Sequence, residues 1–183
     1  MLLPEIFPIS KDIQDEIELY KFIKHYSKNT TLLQFRMKNI SSSKQKEQIM
    51  KAKEFSHMFG IKLIINSSHK LHQKYFEDGV HLTSNDLMSS NIEEFKSLPM
   101  IGASCHNRKE IERAEELQLN YIYLSPVKKT ISHPTRKALG WEGFKELVTQ
   151  TELPTYALGG MKSLDLKLAK KNGAFGIAGI NNI

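Results

Sequence analysis

The sequence predicts a single α/β domain, residues 1–183, folded as a closed (β/α)8 barrel of the TIM type. Short apolar runs rich in β-branched and aromatic residues alternate with amphipathic segments along the whole chain. No linker rich in Pro, Gly or Ser separates them. A length of 183 residues with 40% hydrophobic content suits one domain with a sizeable core.

Eight runs have the composition of buried strands, and turn-forming or polar residues bound each of them. They span residues 5–9, 31–37, 62–66, 79–82, 100–105, 121–126, 154–160 and 175–180. Eight strands with helical or turn-like segments between them favour a closed parallel barrel over an open doubly wound sheet. The last run lies just before the end of the sequence, so we expect the final helix to be short or missing.

Two helices have the clearest start and stop signals. The segment 41–59 opens with serine N-cap candidates and stops at Gly60. The segment 107–119 opens with Asn107 as cap, and Glu110 follows three residues later as in a capping box. Both lie between predicted strands, as the barrel requires.

Composition restricts the functional class. The net charge of +6 suits anionic ligands such as phosphates, while the lysines fall mainly at helical spacing among glutamates, as on a solvated helix face. We therefore expect no nucleic-acid partner. The single cysteine, Cys105, excludes an intrachain disulfide, and no apolar stretch has membrane-spanning length, so a cytoplasmic location is expected.

The second strand places three polar side chains on one face. Gln34, Arg36 and Lys38 share a face by the two-residue period, and Phe35 and Met37 share the other. In such a barrel the active site lies at the C-terminal strand ends. An arginine buried there needs an anion, for which a phosphate is suitable; an internal ion pair with a barrel carboxylate is the alternative.

Strands three to five contribute further candidates. Asn66 ends strand three, and Asp86 after strand four is a candidate magnesium ligand or, equally, the cap of a short helix. Ser104 can donate to a phosphate oxygen and His106 can orient a ligand, although structural roles are as plausible for both. Because neighbours on a strand face opposite ways, Cys105 is not expected to pair with His106 as a nucleophile.

The last three strands are followed by loops suited to anions. The loop 125–134 is long and rich in hydroxyl groups and positive charge, with Thr130 and Ser132 as candidate donors. The pair Gly159-Gly160 after strand seven allows backbone N–H groups to approach a phosphate. A tight turn that requires positive φ is the structural alternative.

Taken in order, these motifs resemble the thiamine-phosphate synthase/TenI family over nearly the whole chain. The ordered set is Gln34-x-Arg36-x-Lys38, Asn66, Gly79-Val80-His81-Leu82, Gly102-x-Ser104-x-His106, Ser125-Pro126 with Thr130, and Gly159-Gly160. The resemblance implies a transferase that joins hydroxymethylpyrimidine diphosphate to thiazole phosphate with magnesium and releases pyrophosphate. It places Gln34, Arg36, Lys38, Asn66 and Ser104 on the pyrimidine diphosphate side, and Thr130, Gly159, Gly160 and Asn181 on the thiazole phosphate.

Three departures from the family pattern support an alternative. Ser67 replaces an expected aspartate, which makes the magnesium site doubtful, and His133 replaces a lysine for which Lys128, Lys129 or Lys137 would have to substitute. Ser125-Pro126 lacks the histidine of TenI-type tautomerases. The alternative is a TenI-like protein that binds thiazole or thiamine phosphate without turnover and works with a Nudix hydrolase, since the 124–160 region resembles the domain fused to such enzymes. A homo-oligomer stays open.

Overall fold

A computed structural model describes residues 2–13, 15–36, 42–67, 75–130, 137–180 and 183. The eight strands are β1 Ile6–Pro8, β2 Leu32–Phe35, β3 Lys62–Asn66, β4 Val80–Leu82, β5 Ile101–Cys105, β6 Tyr121–Leu124, β7 Thr155–Leu158 and β8 Gly176–Gly179. The helices in the described part are α1 Glu16–Tyr26, α2 Ser42–Met58, α3 Ser84–Ser89, α4 Arg108–Glu116, α5 Gly140–Val148 and α6 Leu166–Lys171, with 3-10 turns at Ile92–Glu94 and Ser163–Asp165.

All neighbouring strands are parallel, in the order β1-β8-β7-β6-β5-β4-β3-β2. The seam between β1 and β2 closes the barrel just beyond the end of β1. Ile9 bridges Gln34, and the Ser10 amide donates to the Gln34 carbonyl at 2.9 Å. The buried Ser10 hydroxyl donates to the Arg36 carbonyl at 2.8 Å and accepts from the Arg36 amide at 2.7 Å. The predicted (β/α)8 barrel is confirmed.

The alternation of side chains along each strand divides the core in two. Odd-numbered residues of β6, Tyr121 and Tyr123, point into the barrel with Phe7 and Tyr156, whereas Ile122 and Leu124 pack against the helices. Phe7 contacts the rings of Tyr121, Tyr123 and Tyr156 at centroid distances of 5.2 to 5.5 Å. Aromatic rings thus fill the barrel interior, and the cavity for a ligand begins above them.

Every predicted strand is present, and the predicted boundaries are within three residues of those observed. The predicted cap of α4 is confirmed, since the Asn107 side chain accepts from the Glu110 amide at 3.1 Å. The capping box was wrong in one detail: the Glu110 carboxylate returns to the His106 amide at 2.6 Å and not to the amide of the cap. Glu110 therefore fixes the end of β5 as well as the helix.

In the described ranges, no helix combines the length and apolar character needed to cross a bilayer.

Candidate active site

A cavity of about 540 Å³ opens at the C-terminal ends of the strands. This size suits a small-molecule ligand, because such sites typically measure about 300 to 1,000 Å³. Most of the residues predicted for the site line this one cavity: Gln34, Arg36, Asn66, Ser104, His106, Thr130, Gly159 and Gly160. Residues far apart in the sequence are therefore brought to a common rim.

The cavity lining leaves four predicted residues to account for, of which three cannot be placed. Lys38, Ser132 and Asn181 lie outside the described residues. Asp86 is absent from the lining, but the three residues before it, 83–85, belong to it. Among the described residues, the lining contains no carboxylate and includes the cationic side chains of Arg36 and Lys129. The cavity is therefore suited to an anion.

Arg36 stands just beyond β2 and is partly buried. Burial lowers the pKa of its guanidinium, and the nearby charge of Asp12 opposes that shift. Within the described residues, no carboxylate lies within the 4 Å ion-pair distance of Arg36. A buried cation without a close counter-ion is costly unless a ligand supplies the charge, so the geometry favours an anion over the internal ion pair.

Two buried polar atoms at the cavity lack a hydrogen bond in the described structure, Gln34 Oε1 and the Tyr123 hydroxyl. Both side chains are about 1% exposed. The Tyr123 hydroxyl neighbours that of Tyr121, yet it makes no hydrogen bond of standard geometry. Unsatisfied buried groups are rare, and because both side chains line the cavity, polar groups of a ligand bound there could reach them. Tyr123 was missed from the sequence because a tyrosine inside a strand has the same pattern as a core residue.

His81 lies in the barrel interior between Tyr121 and Ser104. Its Nδ1 is 3.1 Å from the Tyr121 hydroxyl and its Nε2 is 2.9 Å from Ser104 Oγ. Burial, with a smaller effect of the Arg36 charge, lowers the pKa of His81 to about 3. His81 is thus a packed, hydrogen-bonded histidine that also lines the cavity.

Cys105 and His106 point to opposite sides of the barrel wall, as predicted. The Cys105 thiol is buried among the helix-facing residues, and burial raises its pKa. His106 lines the cavity, and its Nδ1 lies 2.7 Å from the Ser125 carbonyl oxygen. That carbonyl can only accept, so Nδ1 donates and the ring orientation is fixed. A cysteine nucleophile is excluded by this geometry.

Gly159 and Gly160 form a tight turn that also lines the cavity. Their φ angles are +102° and +66°. A Cβ on Gly159 would lie 2.8 Å from Pro126 Cα, so only glycine fits where the turn packs against the β6 loop. The structural alternative given for this pair is therefore correct, and it is compatible with anion binding because the main chain is exposed to the cavity.

The comparison with known proteins identifies the family. Residues 6–183 match the profile of the thiamine monophosphate synthase family. The chain belongs to this family. A putative thiamine-phosphate synthase 2 from Aquifex aeolicus is 29% identical over 182 residues, which cover 99% of this chain and 98% of the relative. A thiamine-phosphate synthase from Fusobacterium nucleatum is 29% identical over 91% of this chain and 82% of the relative.

Solved structures in and beyond the thiamine monophosphate synthase family share the barrel. Thiamine phosphate pyrophosphorylase from Pyrococcus furiosus superposes with a TM-score of 0.76 at 23% identity, covering 96% of this chain and 85% of that chain. A 3-hexulose-6-phosphate synthase reaches 0.65 at 9% identity, covering 96% and 88%. At such identities the likeness is one of fold.

The first departure from the family pattern, Ser67, contacts Asp86 directly. The hydroxyl groups of Ser67 and Thr83 both donate to Asp86 Oδ2, the latter at 2.6 Å. The Asp86 amide in turn donates to Thr83 Oγ1 at 3.1 Å, where Thr83 is the N-cap of α3. The predicted capping role of Asp86 was therefore wrong: Thr83 is the cap, and Asp86 lies in the first turn of α3 with its carboxylate bound to the Thr83 and Ser67 hydroxyls. The described residues contain no cluster of three His, Cys, Asp or Glu that could hold a metal.

The second departure concerns the lysine expected in the β6 loop. Lys128 Nζ donates to both carboxylate oxygens of Asp165 at 2.8 Å. Burial of Asp165 raises its pKa, but hydrogen bonds from the Lys128 side chain and the Lys162 backbone amide lower it, and the net pKa is below the ordinary value. Lys129 instead lines the cavity beside Thr130. Of the described lysines that were named as substitutes, Lys129 is therefore the one placed for an anionic ligand, and Lys137 is not in the lining.

Proposed function

We propose that this protein is a thiamine-phosphate synthase that joins hydroxymethylpyrimidine diphosphate to thiazole phosphate and releases pyrophosphate. The observation that carries the proposal is the convergence of the family motifs on one cavity whose described lining is cationic. Arg36 and Lys129 supply the cations, and the described lining contains no carboxylate. Family membership supports the reaction, since the relatives carry this activity in their names.

The bond changes need a charge-stabilising site more than an acid or base. The C–O bond between the pyrimidine methylene and the diphosphate breaks, and its electron pair leaves with pyrophosphate. The thiazole nitrogen then forms the new C–N bond with its lone pair, so no proton has to be removed. A site of this kind stabilises the leaving group with fixed cations and hydrogen-bond donors. Arg36, Lys129 and Ser104 are placed to do so.

We further propose how the two substrates are divided across the cavity. Gln34, Arg36, Asn66 and Ser104 hold the pyrimidine diphosphate, and His106 orients the ligand between them. Thr130 and the Gly159-Gly160 turn hold the thiazole phosphate. The support is spatial: the first group lies on or directly after β2, β3 and β5, and the second lies in the β6 loop and after β7. Lys38, Ser132 and Asn181 remain part of the proposal as predictions.

Magnesium fits this site only together with the substrate. Asp86 is one carboxylate, and its Oδ2 already accepts two hydroxyl hydrogen bonds. Magnesium in diphosphate sites takes one or two carboxylates and completes its shell with phosphate oxygens and water. We propose that Asp86 would hold Mg²⁺ when the diphosphate is bound, and that the ion would neutralise negative charge there.

The proposed compartment is the cytoplasm. The single buried cysteine, Cys105, supports it, because cysteines remain as free thiols in a reducing compartment.

The test is formation of thiamine phosphate from the two substrates with Mg²⁺, followed by chromatography and by pyrophosphate release. Arg36→Ala should lower kcat/KM about 100-fold or more, because one charge-assisted contact to a developing anion is removed. The matched control is Arg108→Ala, since Arg108 is exposed on α4, pairs with Glu112 at 2.7 Å and does not line the cavity. The control should keep its rate.

Absence of product from the wild-type protein at high enzyme concentration would reject the synthase proposal. Thermal stabilisation by thiazole phosphate would still be informative in that case, because a ligand that binds only the folded state raises the apparent melting temperature. Stabilisation without turnover would support the binding protein that was the alternative. A flat melting response together with no product would contradict both.

A further inference from the structure

Three polar side chains form a continuous series at the base of the cavity: Tyr121 on β6, His81 on β4 and Ser104 on β5. The Tyr121 hydroxyl is 3.1 Å from His81 Nδ1, and His81 Nε2 is 2.9 Å from Ser104 Oγ. Tyr121 and His81 are buried, and both His81 and Ser104 line the cavity. The series therefore begins in the aromatic interior of the barrel and ends at the diphosphate side of the proposed site.

Strand register and one glycine bring this series together. His81 pairs with Gly102, and Gly102 pairs with Tyr121, so the three residues form one row across β4, β5 and β6. A Cβ on Gly102 would lie 2.1 Å from the Tyr121 ring. The glycine between them leaves the space through which the tyrosine reaches the imidazole. The Gly102-x-Ser104 spacing thus serves the series as well as the strand.

The direction of the hydrogen bonds follows from the chemistry of the groups. Burial keeps His81 neutral, with a pKa of about 3, so the ring carries one N–H. Burial also raises the pKa of Tyr121 well above its ordinary value, so the hydroxyl keeps its proton. A phenol donates more readily than it accepts, which makes Nδ1 the acceptor and places the ring proton on Nε2. Nε2–H then donates to Ser104 Oγ.

This direction decides what Ser104 offers a ligand. When Ser104 accepts from His81, its own O–H is free to donate into the cavity. In the opposite tautomer Ser104 would donate to His81 and present lone pairs to an anionic ligand, which is repulsive. The same three residues can therefore assist or oppose the departure of a diphosphate, and the position of one ring proton selects between the two cases.

We infer that His81 is a positioning residue, set in its Nε2–H tautomer by Tyr121, that holds the Ser104 hydroxyl as a hydrogen-bond donor to the diphosphate. The inference rests on the proposed function for the identity of the ligand. A preorganised donor stabilises the charge on the leaving group without reorganisation during the reaction. Ser104 contacts the ligand, and His81 and Tyr121 act through it.

Two measurements test the inference. Nitrogen-15 NMR of histidine-labelled protein, with the His81 resonances assigned, should report the Nε2–H tautomer in the wild type and a shift toward Nδ1–H in Tyr121→Phe. In the synthase assay Ser104→Ala should lower kcat about 100-fold, and Tyr121→Phe about 10-fold. The double variant should be no slower than Ser104→Ala alone, because Tyr121 acts only through Ser104.

Tyr156→Phe is the matched control. Tyr156 is another tyrosine of the barrel interior, but its hydroxyl donates to the Pro4 carbonyl at 2.6 Å. It should leave kcat and the His81 tautomer unchanged. An Nδ1–H tautomer in the wild type, or additive losses in the double variant, would overturn the inference.

The outcome is separable from that of the proposed function. If the wild type makes no thiamine phosphate, the tautomer measurement still applies, and inorganic pyrophosphate replaces the substrate as the probe. Calorimetric affinity for pyrophosphate should then fall equally in Ser104→Ala and in the double variant, with a smaller loss in Tyr121→Phe. If Tyr121→Phe binds pyrophosphate as tightly as the wild type, and His81 of the wild type is in the Nδ1–H tautomer, the inference is rejected while the proposed function is not.

Discussion

The two sides of the cavity are built from different materials. The side-chain rim, Gln34, Arg36, Asn66 and Ser104, carries functional groups on inward-facing strand positions. The backbone rim, Gly159, Gly160 and Gly179, carries no side chain beyond a hydrogen and exposes main chain. The first depends on charge and hydrogen-bond direction, the second on the space that a missing Cβ leaves. Substitutions on the two rims should therefore fail in different ways.

The largest expected effect breaks the backbone rim. Gly159→Ala puts a Cβ 2.8 Å from Pro126 Cα at a φ of +102°, and we expect it to lower the free energy of unfolding by about 4 kcal/mol. Urea unfolding measures this loss. Gly160→Ala is the control, since its φ of +66° is left-handed helical and its Cβ would lie 3.0 Å from the Lys128 side chain, a milder contact, so that it should cost only about 1 to 2 kcal/mol. Equal losses in the two variants would contradict the role given to the Pro126 contact.

The second effect is the loss of stability in acid that is expected from His81, the buried residue bonded to Ser104 of the side-chain rim. Burial lowers the pKa of His81 from 6.5 to about 3 in the folded protein. Between these two pH values His81 is therefore protonated in the unfolded chain and neutral in the folded protein. The stabilisation is present above pH 6.5 and is lost as the pH falls toward 3. Unfolding free energies of wild type and His81→Asn, followed from pH 7 to pH 4, should converge by on the order of 3 kcal/mol. A constant difference would show that His81 takes up its proton over the same pH range in the folded and unfolded states.

Lys128 and Lys129 are neighbours in the β6 loop, but only Lys129 lines the cavity, so the third prediction compares substitutions of the two. Lys129→Ala should raise the KM for the diphosphate substrate about 10-fold, because it removes a cation from the lining. Lys128→Ala should change KM less than 3-fold and lower the melting temperature slightly, since a partly exposed ion pair contributes only about 0.5 kcal/mol. Steady-state kinetics with thermal unfolding separates them. The reverse ranking of KM values would make Lys128 the functional cation.

The smallest effect tests the position next to Asp86. Ser67→Asp places a second carboxylate where a hydroxyl now donates to Asp86. Mg²⁺ affinity, measured by calorimetry in the presence of pyrophosphate, should rise about 5-fold, because a second anionic ligand is added. Ser67→Asn is the uncharged control and should show no gain. A loss of affinity in the aspartate variant would contradict a metal position beside Asp86.

The sequence was most informative about the barrel and the side-chain rim. Strand positions follow from runs of apolar residues, and the two-residue period fixes which side of a strand faces the cavity; Gln34 and Arg36 were predicted for this reason. Contacts between distant segments have no such local signal. The pairing of Lys128 with Asp165 spans 37 residues, and the pairing of Ser67 with Asp86 spans 19. Neither could be inferred from a pattern within one element.

Side chains within the barrel were the other gap. Tyr121 and Tyr123 have the pattern of ordinary core residues, and only the register with β4 and β5 shows that Tyr121 meets His81 through the space at Gly102. Hydrophobic periodicity reports which face is buried and not what a polar end touches. The role of Lys129 was open for a related reason, because irregular loops have no period that would separate it from Lys128.

Ser10 closes the barrel at the same place where the diphosphate is proposed to bind. Its hydroxyl accepts a hydrogen bond from the Arg36 amide and donates one to the Arg36 carbonyl, in place of backbone hydrogen bonds between the two strands. This seam has one backbone bridge, one backbone hydrogen bond and the Ser10 hydroxyl, fewer contacts than a full strand ladder, so amides there should exchange with deuterium sooner than those at the β5–β6 junction. An anion bound to Arg36 would then stabilise the seam. It would slow amide exchange along β1 and β2, so that ligand binding and the closure of the barrel would be coupled.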